Sequence, residues 1–286
     1  MSYKFHRVLS PAKLNLGLKI TGKRPDGYHL LKSVFCLVDM CDMIDIQITE
    51  NGKISLIEHN QAWFYQKDLA YKAAALLQEH TATKFGANIR IKKLIPSGAG
   101  MGGGSSNAAT VLIILNQLWE TNLTTSELAS LGEQLGADVP FFIYGKNALV
   151  EGIGEIITPI EIPQMYFVIV KPEVHISTKD VFTSLNIAQN NCDTKNNISI
   201  SELITQREND LEKVARSIYP DLEQLFSELN NYKNEFGIPV MTGSGSCVYF
   251  TFHDKKDAEH LANKLKMKYN TYLAASLTES TVSNCA

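Results

Sequence analysis

Five glycines fall within seven positions of the run Pro96-Ser97-Gly98-Ala99-Gly100-Met101-Gly102-Gly103-Gly104-Ser105-Ser106. With so little side chain in the way, the backbone N–H groups of such a segment can converge on an anion. The apolar run Ala108–Trp119 behind it reads as a helix. The N-terminus of that helix adds a favourable dipole, and Ser105 and Ser106 can cap it or donate to a phosphate. A flexible turn with a Ser cap is the plainer alternative, but Ala would lose less entropy at most of these positions. The run is not a Walker A loop, because Gly104 stands where that motif requires Lys. Gly98-x-Gly100-x-x-Gly103 satisfies the dinucleotide pattern, yet its flanks do not: the strand before it alternates, and no acidic residue ends a second strand ~20 residues on.

Three further segments carry polar chemistry. Gly136-Ala137-Asp138-Val139-Pro140 sets one carboxylate between a helix end and an apolar run. Met241-Thr242-Gly243-Ser244-Gly245-Ser246-Cys247 is a second glycine turn, and Ser10–Leu16 places a lone Lys13 and Asn15 inside an otherwise apolar strand. Phosphoryl transfer needs a phosphate cradle, a cation near the developing charge and a carboxylate that orients or deprotonates a hydroxyl. The chain offers one candidate for each.

The elements that must position these residues are strands and helices without regular β-α-β alternation, which points to α+β. Ile44, Ile46 and Ile48, and likewise Ala87, Ile89 and Ile91, alternate with polar residues as half-wet strands do. The segments 53–58, 165–170, 246–252 and 271–276 read as further strands. Helices are expected over 67–80, 126–135 (opened by the capping box Thr124–Glu127), 207–219, 221–233 and 255–268. The polar, Asn-rich segment 187–199 is expected to be an exposed loop, and a domain break is placed near 155–163, around Pro159 and Pro163.

The chain has 286 residues, enough for about two domains or one large one, and 44% hydrophobic residues, which rules out disorder. A net charge of −3 without a basic block gives no footprint for nucleic acid. No apolar stretch approaches the ~18 residues of a membrane span, and the start, MSYKFHRVLSPAK, lacks the apolar region of a signal peptide. Five cysteines (36, 41, 192, 247 and 285) include no C-x-x-C pair, which fits free thiols in a reducing cytoplasm better than a disulfide or zinc framework. The expectation is a soluble cytoplasmic protein acting on a small molecule, with no nucleic acid, no membrane and no protein-held metal; its oligomeric state is left open.

Pro11-Ala12-Lys13-Leu14-Asn15, the glycine run from Pro96, and Thr242-Gly243-Ser244-Gly245-Ser246 together resemble the GHMP kinases. One branch is matched more closely, through Thr21-Gly22-Lys23-Arg24-Pro25-Asp26-Gly27-Tyr28-His29, Gly136–Pro140 and Glu151–Glu155. The likeness runs in order from about residue 9 to 276 and is weakest over 185–235. It implies a two-lobed α+β fold, lobes 1–158 and 159–286, with the active site in the cleft between them. It also implies ATP as co-substrate, accompanied by Mg2+, and phosphorylation of the 2-hydroxyl of a cytidine diphosphate-linked methylerythritol of the non-mevalonate isoprenoid pathway. By the same resemblance Asp138 is the catalytic base, Lys13 its partner, and Pro96–Ser106 the ATP loop. Asn15, Tyr28, His29, Thr178, Phe182, Gly243 and Gly245 match substrate-binding positions. Tyr28 and Phe182 would clamp the faces of a cytosine while His29 reads its edge. Asn15 would touch the reacting hydroxyl or, alternatively, is a buried amide satisfied by its surroundings. Ala99 and Met101 depart from the Gly and Leu usual there, although other branches of the family also carry Ala, and the effect of the two on the loop is left open. Another GHMP kinase, of homoserine or mevalonate type, is disfavoured by Tyr28-His29. A non-catalytic sensor on the same fold is disfavoured by the intact Lys13 and Asp138.

Overall fold

A computed structural model describes residues 4–57, 65–185 and 198–282. Two strands dominate it. β1 (His6–Lys23) and β2 (His29–Thr49) form one long antiparallel hairpin, closed by the turn that carries Tyr28. Both exceed anything the alternation of Ile44, Ile46 and Ile48 suggests. For β1 the reason is burial: from Ser10 to Leu18 it is buried at every position, so no polar face marks how far the apolar strand read over 10–16 extends. Register shifts near Pro11, Asn15 and Ile20 bend the strand, as bulges do.

β2 also pairs with β4 (Gly86–Lys92) and β5 (Ala148–Gly152); β3 (Ile54–Leu56) and β6 (Ile156–Pro159) complete a six-stranded sheet. A second sheet of four antiparallel strands has the order β10 (Asn270–Ala275), β7 (Tyr166–Lys171), β9 (Val248–Phe252), β8 (Val240–Met241). Helices α1 (Leu69–Thr81), α2 (Gly103–Leu118), α3 (Thr125–Glu133) and α4 (Val139–Tyr144) belong with the first sheet. The helices α5 (Thr178–Thr183), α6 (Ile200–Gln206), α7 (Asp210–Ile218), α8 (Pro220–Leu229), α9 (Lys233–Phe236) and α10 (Lys255–Leu265) follow with the second. The α+β reading holds. The expected helix 207–219 is found as α7 but starts only at Asp210, because Arg207 ends α6 in a left-handed conformation and Asn209 caps α7 through the N–H of Leu211. The expected loop 187–199 lies outside the described residues except for Ile198 and Ser199, the latter capping α6.

Three apolar clusters form the interior. One joins α1–α4 to the first sheet, and one joins α7, α8 and α10 to the second. The third lies between the sheets and contains Ala12, Leu14 and Leu16 of β1 together with Phe167, Ile169 and Tyr249. One set of alternate β1 side chains therefore anchors the strand to the second sheet. The intervening residues, Lys13 and Asn15, are held on the opposite set. Beyond its pairing with β2, β1 bonds on its other edge: Lys13 N–H to the Met101 carbonyl (3.0 Å) and Leu18 N–H to the Glu208 carbonyl (2.9 Å).

Candidate active site

Gly98, Gly100 and Gly102 take positive φ (63°, 74° and 70°). These left-handed residues alternate with Ala99 and Met101, whose side chains turn into the cluster between the sheets, 2% and 1% exposed. The Ala99 methyl is therefore core. Gly100 is the tightest point: a Cβ there would lie 2.3 Å from the Thr242 carbonyl oxygen, so the two glycine turns touch backbone to backbone. The Ala99 carbonyl accepts from Cys247 N–H at 3.2 Å along the same seam. Among the described residues, the backbone N–H groups from Ser97 to Ser105 meet no acceptor. The last three are the first turn of α2, which starts at Gly103 rather than after the run, and helix starts leave such donors unsatisfied. Gly103 is glycine for space, since a Cβ would fall 2.9 Å from Ile95 Cγ2. Ser106 is a correction: its hydroxyl is fully buried, donates to the Pro11 carbonyl (2.6 Å) and meets Ser10 Oγ (2.7 Å), so it faces β1 and not an anion. Ser105 stays half-buried, 3.8 Å from where a Cβ would stand on Gly136.

Lys13 and Asp138 meet beside this loop. Lys13 Nζ lies 3.7 Å from Asp138 Oδ2, an ion pair too long for a strong hydrogen bond. It donates to Asn15 Oδ1 at 2.7 Å and sits 4.4 Å from the centre of the Phe35 ring. Burial pushes the Lys13 pKa down, and the Asp138 carboxylate opposes that shift. Asp138 occupies the N-cap of α4 without using its carboxylate as a cap, which leaves the oxygens free for other chemistry. Its side chain is about one-third exposed, against 5% for Lys13. The pair thus joins a dry cation to a reachable carboxylate, as proton transfer from a bound hydroxyl requires.

Asn15 answers the alternative left open above. It is buried, its amide donates to Ser33 Oγ (3.0 Å), and its oxygen accepts from Lys13 and from Thr242 Oγ1 (3.3 Å). With these partners Asn15 holds Lys13 in place. Gly243 backs this arrangement, since a Cβ there would lie 3.3 Å from Asn15 Oδ1 and 3.2 Å from the Gly100 carbonyl. Thr178, at the start of α5, bonds Ser244 Oγ at 2.7 Å. Gly245 packs beside Met241 and Ile176. Thr178, Gly243 and Gly245 therefore meet at one turn.

His29 and Phe182, 153 positions apart in number, are ring neighbours with centroids 5.5 Å apart and planes tilted by 32°. The structure brings Phe182 against His29 rather than against Tyr28, whose ring is 61% exposed. His29 is buried, and its Nε2 has no hydrogen-bond partner among the described residues. A buried polar atom without a partner is uncommon, and this one is open to a ligand. Burial, with the nearby Lys23 charge, pushes the His29 pKa down, so the ring is neutral and can offer one donor and one acceptor.

Two contributors escaped the sequence. Asn209 donates to the Met241 (2.7 Å) and Gly243 (2.8 Å) carbonyls and so clamps the second glycine turn. The His175 ring lies over Gly98, with Nδ1 2.7 Å from where a Cβ would be built. Nothing local in the sequence marks either: one lies in a helix cap and the other in a loop. Among the described residues no group of three or more His, Cys, Asp or Glu could hold a metal ion, and no helix is long and apolar enough to cross a membrane. Cys36, Cys41 and Cys247 are free thiols, and burial pushes Cys41 up to about 11.

A glycine loop of unpaired amides beside a buried lysine and a half-buried aspartate, carried by one mixed and one antiparallel sheet, has clear relatives. The family models for the GHMP kinases N terminal domain and the GHMP kinases C terminal match residues 68–146 and 188–271. The chain belongs to the GHMP kinase family. It is 41% identical over 280 residues to a 4-diphosphocytidyl-2-C-methyl-D-erythritol kinase of Chromobacterium violaceum, covering 97% of this chain and 96% of that one. Identity to the enzyme of that name from Neisseria meningitidis is 42%, covering 94% of each. A solved 4-(cytidine 5'-diphospho)-2C-methyl-D-erythritol kinase superposes with a TM-score of 0.79 at 29% identity, covering 95% of this chain and 99% of that one. The solved L. major mevalonate kinase in complex with R-mevalonate shares the fold at a TM-score of 0.69 and 17% identity, covering 96% of this chain and 97% of that one.

Proposed function

We propose that this chain phosphorylates the 2-hydroxyl of 4-diphosphocytidyl-2-C-methyl-D-erythritol with ATP, a step in making isoprenoid precursors. The single observation that carries the reading is the placement of Lys13 and Asp138 against the donor-lined loop. The Lys13 Cγ lies 3.3 Å from where a Cβ would stand on Gly102, and the Asp138 turn abuts Ser105 through Gly136. The amides of Ser97–Ser105 hold the polyphosphate, with Gly98, Ala99, Gly100, Met101, Gly102, Gly103 and Gly104 contributing backbone only. Asp138 takes the proton of the attacking hydroxyl, and Lys13, kept in place by Asn15, steadies negative charge as the bond to phosphorus forms.

Mg2+ travels with the nucleotide, where it neutralises polyphosphate charge. The chain oxygens open to it are the Ser105 hydroxyl and the Asp138 carboxylate. At the other end of the cleft, Phe182 and the exposed Tyr28 ring offer apolar faces to the cytosine, and His29 Nε2 takes a hydrogen bond at its edge. Thr178, Gly243 and Gly245 shape the wall between the two ends. The working division is a lobe of 1–158 and a lobe of 159–286 in a cytoplasmic enzyme, with β1 reaching from one into the other. The test is ADP release with the cytidyl acceptor, homoserine and mevalonate offered separately. Turnover with the cytidyl acceptor alone is expected; preference for either of the others would overturn the substrate reading.

A further inference from the structure

Asp42 lies in β2, directly across from Ser10 of β1, and is completely buried. Nothing in the chemistry above uses it, yet its carboxylate accepts four hydrogen bonds. Two come from the backbone N–H groups of Leu94 (2.7 Å) and Ile95 (2.9 Å), the residues that enter the glycine loop. One comes from Asn107 Nδ2 (2.9 Å), on the first turns of α2 just past Ser106, and one from Lys93 Nζ. The strand partner of Asp42 completes the grip: Ser10 Oγ meets Ser106 Oγ at 2.7 Å. One buried carboxylate therefore ties the entrance of the loop to its exit.

We infer that Asp42 is a positioning residue for the phosphate loop, fixing both of its ends so that the amides between them stay convergent before any nucleotide arrives. A glycine-rich segment with alternating positive φ has much backbone freedom to lose, and anchoring its ends removes that loss from the binding step. A carboxylate suits the task because hydrogen bonds to an ionised acceptor are stronger than neutral ones, and a single carboxylate can accept all four. The inference rests on reading 96–106 as the ATP loop, and calorimetry with Mg-ATP tests the two separately because it needs no acceptor.

Asp42→Asn keeps one oxygen for the Leu94 and Ile95 amides but turns an NH2 group toward Lys93 Nζ, a donor, and toward Asn107, whose amide must turn over to present its unpartnered Oδ1. Mg-ATP affinity is expected to fall about tenfold, and KM for ATP to rise in step, while KM for the acceptor stays within about twofold. Asn107→Asp added to Asp42→Asn exchanges donor and acceptor across the contact and is expected to restore most of the affinity. Should Asp42→Asn fail to fold, Asn107→Ala removes only the helix-side anchor and is expected to weaken Mg-ATP about threefold. Folded variants that bind Mg-ATP as the unchanged chain does, or a double variant no better than Asp42→Asn, would overturn the inference. An unchanged chain that binds no Mg-ATP would overturn the ATP-loop reading itself, and the positioning role with it.

Discussion

The glycine loop, proposed as the phosphate end, and the His29–Phe182 pair, proposed as the base end, are made of different material. At the phosphate end the working groups are backbone amides in one continuous segment, backed by a second glycine turn at 2.3 Å from a would-be Cβ on Gly100. At the base end they are side chains from two distant segments, with His29 and Phe182 meeting at 5.5 Å and Tyr28 standing out in solvent. The first is a preformed cradle whose donors need only an anion. The second is half assembled, with a buried nitrogen still lacking a partner. The contrast suggests that ATP affinity is set by how well the loop is anchored, and acceptor choice by a few replaceable contacts.

Asp138 stands between the two ends and belongs to neither, so its removal is expected to have the largest effect and the least selectivity. Asp138→Asn should lower kcat by at least ~10², with Mg-ATP affinity nearly unchanged, since the side chain then takes no proton. Pre-steady-state turnover against calorimetry separates the two quantities, and near-normal kcat in folded protein would remove the base assignment.

Phe182→Ala breaks the base end alone. Stacking on an aromatic is worth ~1–3 kcal/mol per base in single-strand binding proteins, or roughly 5- to 150-fold. KM for the cytidyl acceptor should rise by about that factor while KM for ATP holds. Gly100→Ala is the reciprocal change. It places a side chain at φ 74° against the Thr242 carbonyl, so about a tenfold rise in KM for ATP is expected, together with a lower Tm.

Smaller effects sharpen the base end. His29 is held neutral by a lowered pKa, so it gains a proton only once pH falls below the ordinary histidine value of 6.5. KM for the acceptor is expected to be flat from about pH 8 down to that value and to rise a few-fold below it. His29→Ala should abolish that rise and blunt discrimination between cytosine and uracil acceptors. A rise already complete at pH 7 would mean the histidine is not buried as seen. His175→Ala, which uncovers Gly98 without touching the base end, should raise KM for ATP by about twofold only.

The two ends also differ in how far the sequence exposes them. Glycine density made the loop visible, because few other structures need so many residues without Cβ in one run. Where the loop stops was not visible: Gly103 and Gly104 already belong to α2, and Gly103 makes room for Ile95. Ser105 and Ser106 look equivalent as letters, yet helical geometry points Ser106 into β1 and leaves Ser105 outside. At the base end, the family resemblance supplied Tyr28, His29 and Phe182, but only the hairpin of β1 and β2 and the placement of α5 decide that His29 and not Tyr28 meets Phe182. The hairpin itself escaped: residues 10–16 read as an apolar strand, but a strand buried on both faces shows no alternation to mark its length or its partner. Asn209 and His175 act through tertiary contact from a helix cap and a loop, positions that carry no periodic signal.

The separation of the two ends is tested most directly by two-substrate kinetics on Phe182→Ala and Gly100→Ala, with ATP and the cytidyl acceptor each varied at saturating levels of the other. The expected result is a crossed pattern: Phe182→Ala raises only the acceptor KM, and Gly100→Ala raises only the ATP KM. A Phe182→Ala enzyme whose ATP KM rises as much as its acceptor KM would contradict it.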